Sequence, residues 1–594
     1  MAEVAVRVST DGPVTGAAAG RYVSDQLVDV LRGLGCRYLP LTPGASFRGL
    51  HDSVIAAERR GQIHHLLCLH EEVAVSLAHG YAKASGEVGF AVVHDLVGVL
   101  HASMAVYNAW RDRVPLVLLG GAGPASPAAR RPVEWIHSAA EQGRPLADYV
   151  KWTAEPGDPA ELQSAVVRAH CIASTPPCGP VYVSVDSALQ EQPVDPLGTA
   201  AEPAVRPHPV PRSAAAPELL AQAVTALLDA RRPAILAGPN CRSATLGALL
   251  LAVAELLGAA AVDGWQNVAF PSDSPLSAGV EALREADVIL RVDMSHADAA
   301  LAGVPGGWAT LSGDNRLIDL SPPGTGTSSW AHSDGPEMPI DIPLVADPDV
   351  GARQLLDALA GDRRVSDPAW RAARDRRVTR LTDQHRERRA AQLRDVRARW
   401  DDSPISPARL VGEVWAAVRD RPWSLVLRND RSWPDGVWEF PSAGRYLGGS
   451  GGGGVGYGPG AMIGGALAAR EKGELAVAII GDGDLLMAPT ALWTAAAHRI
   501  PILVVVNDNR SFYNDEAHQR STARQRGRPE ENALSGTRIT DPAVRLPLLA
   551  ESLGVWTRES ITDAAALPAA LGAALAAVDT GRPALLDVIT AGRP

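Results

Sequence analysis

LAVAIIGDGDLLMAPTALWTAAAHRIPILVVVNDNRS, residues 475–511, is the stretch from which the fold can be read. Residues 475–480 form an apolar run suited to a strand buried on both faces, and they lead into Gly481-Asp482-Gly483. Pro489 suits the first turn of a helix, where its missing N–H is not needed, and that helix is expected to reach His498. Pro501 opens the next strand, expected to end at Val506. Strand, helix and strand make a βαβ crossover with two parallel strands as expected neighbours. Asp482 and Asn509 then leave the sheet at one carboxyl edge, where open α/β sheets bind ligands. The Asp482 carboxylate, the Asn509 amide oxygen and the carbonyl of Ser511 would present hard oxygen ligands of the kind magnesium takes alongside phosphate oxygens and water. Gly481 and Gly483 would let the main chain approach a phosphate closely. A Gly-Asp-Gly turn alone is a common loop; the 27-residue step from 482 to 509, holding a complete strand-helix-strand, gives it weight.

The same alternation runs through the rest of the chain. Helical spacing at 22–34 and 72–84 interleaves with strand-like runs at 37–41, 89–93, 115–119 and 180–185. A Pro- and Ala-rich stretch at 196–217 reads as a linker, and strands at 233–236 and 288–292 follow it. Further strands are expected at 424–427, 502–506 and 584–589. The fold class is therefore α/β, with three doubly wound parallel-sheet domains. The expected limits are a lead-in at 1–20, domains at 21–195 and 215–360, a linker helix at 361–404 and a last domain at 405–594. Residues 363–400 carry thirteen arginines interleaved with acids, the pattern of a solvated connecting helix rather than a nucleic-acid surface.

Composition agrees with an ordinary globular chain, at 46% hydrophobic and 21% charged residues. A net charge of -11 argues against nucleic acid as a partner. The five cysteines are scattered without a CxxC pair and are expected to be reduced core thiols. No secretory signal or membrane span is expected, so the reading is a soluble, cytoplasmic protein without a membrane partner.

Two further stretches bear on function. GGSGGGGVGYGPG (448–460) contains a G-x-G-x-x-G match, but 441–447 makes a poor buried strand, so a nicotinamide site is discounted. CLHEEVAVSLAHGYAKASGEVGF (68–90) is not a zincin, since Ala74 stands where a second histidine is needed. Its pattern is His-Glu, eight residues, Gly-Tyr-Ala, then a polar residue and Ala-Ser.

Together with 475–511, this stretch resembles the thiamine-diphosphate enzymes of the pyruvate oxidase/acetolactate synthase superfamily. The ALWTAAAHRIPILVVV portion is most similar to the benzoylformate decarboxylase branch. The resemblance spans the chain from about residue 20 onward, including KWTAEPGDPAELQSAVVRAHCIAS (151–174) and GPVYVSV (179–185). It implies pyrimidine-binding, central and diphosphate-binding domains, with thiamine diphosphate and Mg2+ as cofactors. Asp482, Asn509 and Ser511 would hold the metal, and Gly481 and Gly483 the diphosphate. Val455 would prop the cofactor in a bent conformation, and the Gly453 carbonyl would accept from its aminopyrimidine. Glu71 would hydrogen-bond the pyrimidine ring and so activate the cofactor, which demands a partly buried carboxyl. His94, at the end of strand 89–93, would face the substrate, and a second catalytic histidine would map to His296.

Some positions depart from the family pattern. Asp508 stands where an asparagine is usual, Asp484 where a small hydroxyl residue is usual, and Ala45 where the decarboxylases have a serine; Ser46 would substitute only if its loop shifted. The implied activity is non-oxidative decarboxylation of a 2-oxo acid, with carboligation as a further capacity. The alternatives are an acetolactate-synthase-like carboligase and a catalytically degenerate binding protein. Segment 291–298 lacks the motif that would accompany flavin, so FAD is not expected. Because sites of this family lie between subunits, a homodimer or homotetramer is expected.

Overall fold

Apolar runs punctuated by glycine and proline become the strands of three parallel sheets in the computed structural model of the chain. The structure describes residues 20–194, 212–264, 266–294, 315–324 and 340–591. The first sheet comprises β1 (Tyr38–Leu41), β2 (His64–Leu67), β3 (Gly89–Val93), β4 (Leu116–Ala122), β5 (Thr153–Ala154) and β6 (Pro180–Asp186), in the order β2-β1-β3-β4-β6-β5. The second comprises β7 (Pro233–Ala237), β8 (Ala260–Asp263), β9 (Ser277–Ala278), β10 (Val288–Val292), β11 (Arg316–Ser321) and β12 (Ile342–Val345), in the order β12-β11-β10-β7-β8-β9. The third holds β13 (Trp423–Leu427), β14 (Leu475–Gly481), β15 (Leu503–Asp508), β16 (Trp556–Thr557) and β17 (Ala584–Ile589), in the order β13-β14-β15-β17-β16.

Successive strand residues feed different cores. In β14, Ala476, Ala478 and Ile480 enter one apolar cluster, while Leu475, Val477 and Ile479 enter another on the opposite face. Burial on both faces is why these strands read as continuous apolar runs. β14 and β15 pair directly, with Ile480 opposite Val506 and Gly481 opposite Asn507.

Three local features differ from the sequence reading. Pro489 does not open a helix: it lies in a turn between Asp482–Met487 and Ala491–Ala497. The residue before a proline is disfavoured in helical conformation, and Ala488 has φ -139° and ψ 51°. β2 was not expected, because His64 and His65 interrupt any apolar run there. Cys171 and Cys178 are only partly buried, while Cys36, Cys68 and Cys241 lie in the core, and all five are free thiols.

The arginine-rich segment forms the 31-residue helix Pro368–Ala398, with only Leu381 and Val396 buried. Its guanidinium groups grip neighbouring main chain. Arg374 and Arg377 donate to the carbonyls of Glu255 and Leu257, each at 2.6 Å, at the end of helix Ala244–Leu257. Cations there meet unpaired carbonyls and the negative end of the helix dipole.

The first and third sheets are joined most intimately at a crossing of two helices, Glu71–Ser85 and Tyr457–Glu471. Glycines line it. A Cβ added at Gly80 would lie 2.2 Å from the Ala461 carbonyl oxygen, and one at Gly464 would lie 2.0 Å from that of Leu77. At Gly460 it would meet the Ser76 Cβ at 2.6 Å. Gly464→Ala should therefore destabilise by about 1–3 kcal/mol through overpacking. Gly572→Ala, on helix Leu567–Asp579 with open space around it, should be neutral or stabilising by about 0.5–1 kcal/mol. Thermal denaturation of the two variants should move their midpoints in opposite directions or leave the second unmoved.

Candidate active site

The carboxyl ends of β13 and β14, together with the loop after β15, open into a cavity of about 470 Å³. Gly481, Asp482 and Gly483 line it, as do Asn509, Ser511, Gly453 and Val455. Asp482 begins a short helix at the end of β14, and Asn509 follows β15 directly. The parallel pairing of those two strands is what brings the two residues to one edge. Asx turns shape the second loop: Asp508 accepts from the Arg510 N–H at 2.9 Å, and Asn509 from the Ser511 N–H at 3.0 Å.

The cavity suits a phosphate and a divalent cation. An added Cβ at Gly483 would lie 2.8 Å from the Phe512 ring, and one at Gly481 3.2 Å from the Asn429 amide nitrogen, so a side chain at either position would crowd its neighbour. Gly453 has φ +66°, a left-handed conformation that glycine adopts without strain. Val455 is 49% exposed, an apolar side chain left standing beside a polar cavity.

Asp482 is only 3% exposed, and its carboxyl is pushed up to about 7, first by burial and then by Asp508. Burial also raises Asp508, and it lifts Asp587 on β17 to about 6 with help from Asp508. Three neighbouring acids are thus held above their ordinary range, and of these Asp482 lines the cavity, where a divalent cation would relieve it.

Glu71 and His94 do not line this cavity. Glu71 opens helix Glu71–Ser85, is 7% exposed, and lies with Oε2 3.0 Å from Nδ1 of His101. His70 caps that helix by accepting the Glu72 N–H at 3.1 Å, and its ring stacks on His101 at 5.2 Å. His94 follows β3, and its Nδ1 lies 2.6 Å from Oγ of Ser46. The 3₁₀ turn Ala45–Phe47 delivers that hydroxyl, and Gly44 leaves room for the imidazole, which a Cβ would meet at 2.7 Å. His296 lies outside the described residues.

His101 and Asp587 escaped the sequence reading. His101 sits within VGVLHASMAVYNAW (97–110), where helical spacing from His94 carries no motif. Asp587 interrupts the last apolar strand, and a lone acid inside such a run is the one signal that pointed to it.

Comparisons with known proteins follow the same division. Residues 21–142 match the thiamine pyrophosphate enzyme N-terminal TPP binding domain, and residues 431–588 match the corresponding C-terminal TPP binding domain. The chain thus carries matches to both thiamine pyrophosphate binding domains, one at each end. It is 27% identical to a benzoylformate decarboxylase of Pseudomonas aeruginosa over 75% of this chain and 79% of that one. It is 23% identical to a probable acetolactate synthase large subunit of Methanocaldococcus jannaschii over 82% of this chain and 80% of that one. The solved thiamine diphosphate-dependent 4-hydroxybenzoylformate decarboxylase of Rhodococcus jostii shares the fold, with a TM-score of 0.76, 22% identity, and coverage of 96% of this chain and 100% of that one.

Asp484, one of the positions that depart from the resembled pattern, has a structural role. Its carboxylate accepts the N–H of Gly456 at 2.5 Å, and the nearby Gly458 N–H also favours its charged form. It thereby caps helix Tyr457–Glu471 from a neighbouring element, satisfying a donor that the helix cannot satisfy itself. Gly458 is required beside it, since a Cβ there would lie 2.3 Å from Oδ2. Burial holds the Asp484 carboxyl up at about 6. Asp484→Ala should lose the cap and about 0.5–2 kcal/mol. Asp484→Asn keeps an acceptor oxygen without a buried charge, so urea denaturation at pH 7.5 should rank it above the alanine variant.

Proposed function

We propose that this chain is a thiamine-diphosphate- and magnesium-dependent 2-oxo acid decarboxylase with a capacity for carboligation. The observation that carries the reading is one cavity lined by glycines 481 and 483, by buried Asp482, and by Asn509 and Ser511. Asp482, the amide oxygen of Asn509 and the carbonyl of Ser511 would hold Mg2+. Gly481 and Gly483 would admit the diphosphate, Val455 would support the bend between the cofactor's rings, and the Gly453 carbonyl would accept from the aminopyrimidine. When bound, the cofactor supplies an electron sink for cleaving the bond between the carboxylate and the 2-oxo carbon. Glu71 would hold the proton that activates the cofactor, with His101 as its hydrogen-bond partner. His94 would move protons at the substrate, oriented by the Ser46 hydroxyl. A proton delivered to the former carbonyl carbon yields an aldehyde, and a second carbonyl in its place yields an acyloin. Kinship with both decarboxylases and acetolactate synthases supports naming both outcomes.

Glu71 would serve the cavity of a second copy, since it does not border the cavity of its own chain. The chain would then work as a homodimer or a dimer of dimers, with each site built from two subunits.

Calorimetric titration of thiamine diphosphate with Mg2+ into wild type and Asp482→Ala tests the cofactor site. Metal-dependent binding should appear in wild type and weaken at least 100-fold in the variant; a folded wild type that binds neither would overturn the reading. Glu71→Gln should lower kcat by about 10²–10⁴-fold in carbon dioxide release from aryl or alkyl 2-oxo acids. Mixing Glu71→Gln with Asp482→Ala subunits should restore about a quarter of wild-type activity, because half the dimers are hybrid and each carries one intact site. No recovery on subunit exchange would place both residues in one chain's site.

A further inference from the structure

Asp95 ends the loop after β3 at the N-cap of the 16-residue helix Leu96–Arg111, yet its side chain caps nothing. Aspartate is among the best N-cap residues, and forgoing the bond gives up about 1 kcal/mol. The carboxylate is instead 1% exposed, and neither oxygen has a hydrogen-bond partner; the nearby Val97 N–H falls outside hydrogen-bond geometry. Each oxygen faces a different imidazole. Oδ1 lies 3.5 Å from Nδ1 of His94, and Oδ2 lies 3.8 Å from Nδ1 of His137. The two rings meet edge to face at 5.6 Å. His137 arrives from a separate element, helix Pro132–His137, so this meeting is tertiary and not a by-product of local chain geometry. A buried carboxylate without a partner is costly, and a single proton on either flanking ring offsets that cost.

We propose that His137 is a second proton-handling residue of this site, sharing one proton with the substrate-facing His94 through the buried carboxylate of Asp95. The proposal rests on the reading of His94 as a residue that meets a 2-oxo acid. In that reaction, R–CO–COO⁻ + H⁺ → R–CHO + CO2, the carbon–carbon bond breaks and leaves its electron pair at the former 2-oxo carbon. One proton forms the new C–H bond there, so each turnover consumes a proton from solvent. His94 has Nδ1 on Ser46 and toward Asp95, which leaves Nε2 for the substrate. His137, with 32% of its side chain exposed, is the ring that can take a proton from water. Asp95 and His137 act through His94 and are positioning residues.

The surrounding charges are consistent with sharing. Burial lowers the affinity of His94 for a proton; Asp95 and Glu71 raise it, while His137 and Arg131 lower it. Burial raises the Asp95 carboxyl, and both imidazoles lower it. Glu134 also faces Asp95, but its charge is taken up by Arg131 at 2.6 Å and Arg48 at 3.8 Å. The ligand atoms of His94, Asp95 and His137 lie within 4.8 Å of one another, so a transition metal is the competing occupant. The Ser46 hydroxyl on His94 favours the proton.

The test is a pH titration of imidazole resonances in the full-length protein labelled at histidine, without cofactor, for wild type, Asp95→Asn and His137→Gln. In wild type the His94 and His137 resonances should titrate in two coupled steps. Asp95→Asn should lower both midpoints by about one pH unit or more, through loss of the anion between them. His137→Gln should turn the His94 titration into a single step at higher pH. In the loaded enzyme, Asp95→Asn should shift the acid limb of the kcat profile by the same amount, with KM little changed. His94 titrating identically in all three proteins would overturn the proposal, as would stoichiometric Zn2+ uptake by wild type that Asp95→Asn abolishes. Coupled titration without turnover of any 2-oxo acid would leave the shared proton standing and sink the functional reading instead.

Discussion

The structure hangs on a main-chain contact between two helices. Where Glu71–Ser85 crosses Tyr457–Glu471, Gly80, Gly460 and Gly464 bring backbone against backbone at distances no side chain allows. That closeness decides what lies at the helix ends. Glu72 comes beside Gly456, where a Cβ would lie 3.5 Å from its carboxylate, and Asp484 reaches the same N-terminus. Burial raises the Glu72 carboxyl, and Asp484 raises it further, so the crossing gathers acidic groups where a helix dipole can tolerate them. Packing, not charge attraction, sets this geometry.

The glycine loop 448–456 has few side chains with which to hold itself, and the first domain supplies the tethers. Lys83 donates to Asp112 at 2.7 Å and to the Gly449 carbonyl at 2.5 Å, and Ser450 donates to Asn108 at 2.7 Å. Burial draws the Lys83 ammonium down to about 8, against the pull of Asp112. A loop fixed in this way can offer main-chain carbonyls to a ligand without refolding around it, which lowers the entropic cost of binding. The cavity wall at Gly453 and Val455 therefore depends on tethers that span 342 and 366 positions of the chain.

Much of this was legible in the sequence, for physical reasons. Strands buried on both faces declare themselves as apolar runs, and β3, β10 and β17 have the limits their runs indicate. The residues at the edge of the third sheet could be placed together because a βαβ crossover leaves little choice of topology. What stayed hidden depends on contacts distant in sequence. β2 is half exposed and carries two histidines, and the helix expected to open at Pro489 starts instead at Ala491, after a turn and an unforeseen short helix at Asp482–Met487. Asp484 reads as a stray charge until the helix it caps is in view, and the meeting of Asp95 with His137 has no spacing rule behind it. The second histidine mapped to 296 falls outside the described residues.

The crossing works like a key with three notches. Sliding either helix by one residue would bring a side chain into a gap cut for a hydrogen atom, so its depth and angle cannot drift by small steps. The rim is under no such restraint. The turn at 45–47, the short helix at 132–137 and helix Tyr513–Gln525 are separate elements outside the crossing. A change made at the rim can therefore leave the frame undisturbed, whereas a side chain added at any of the three notches must push the two domains apart.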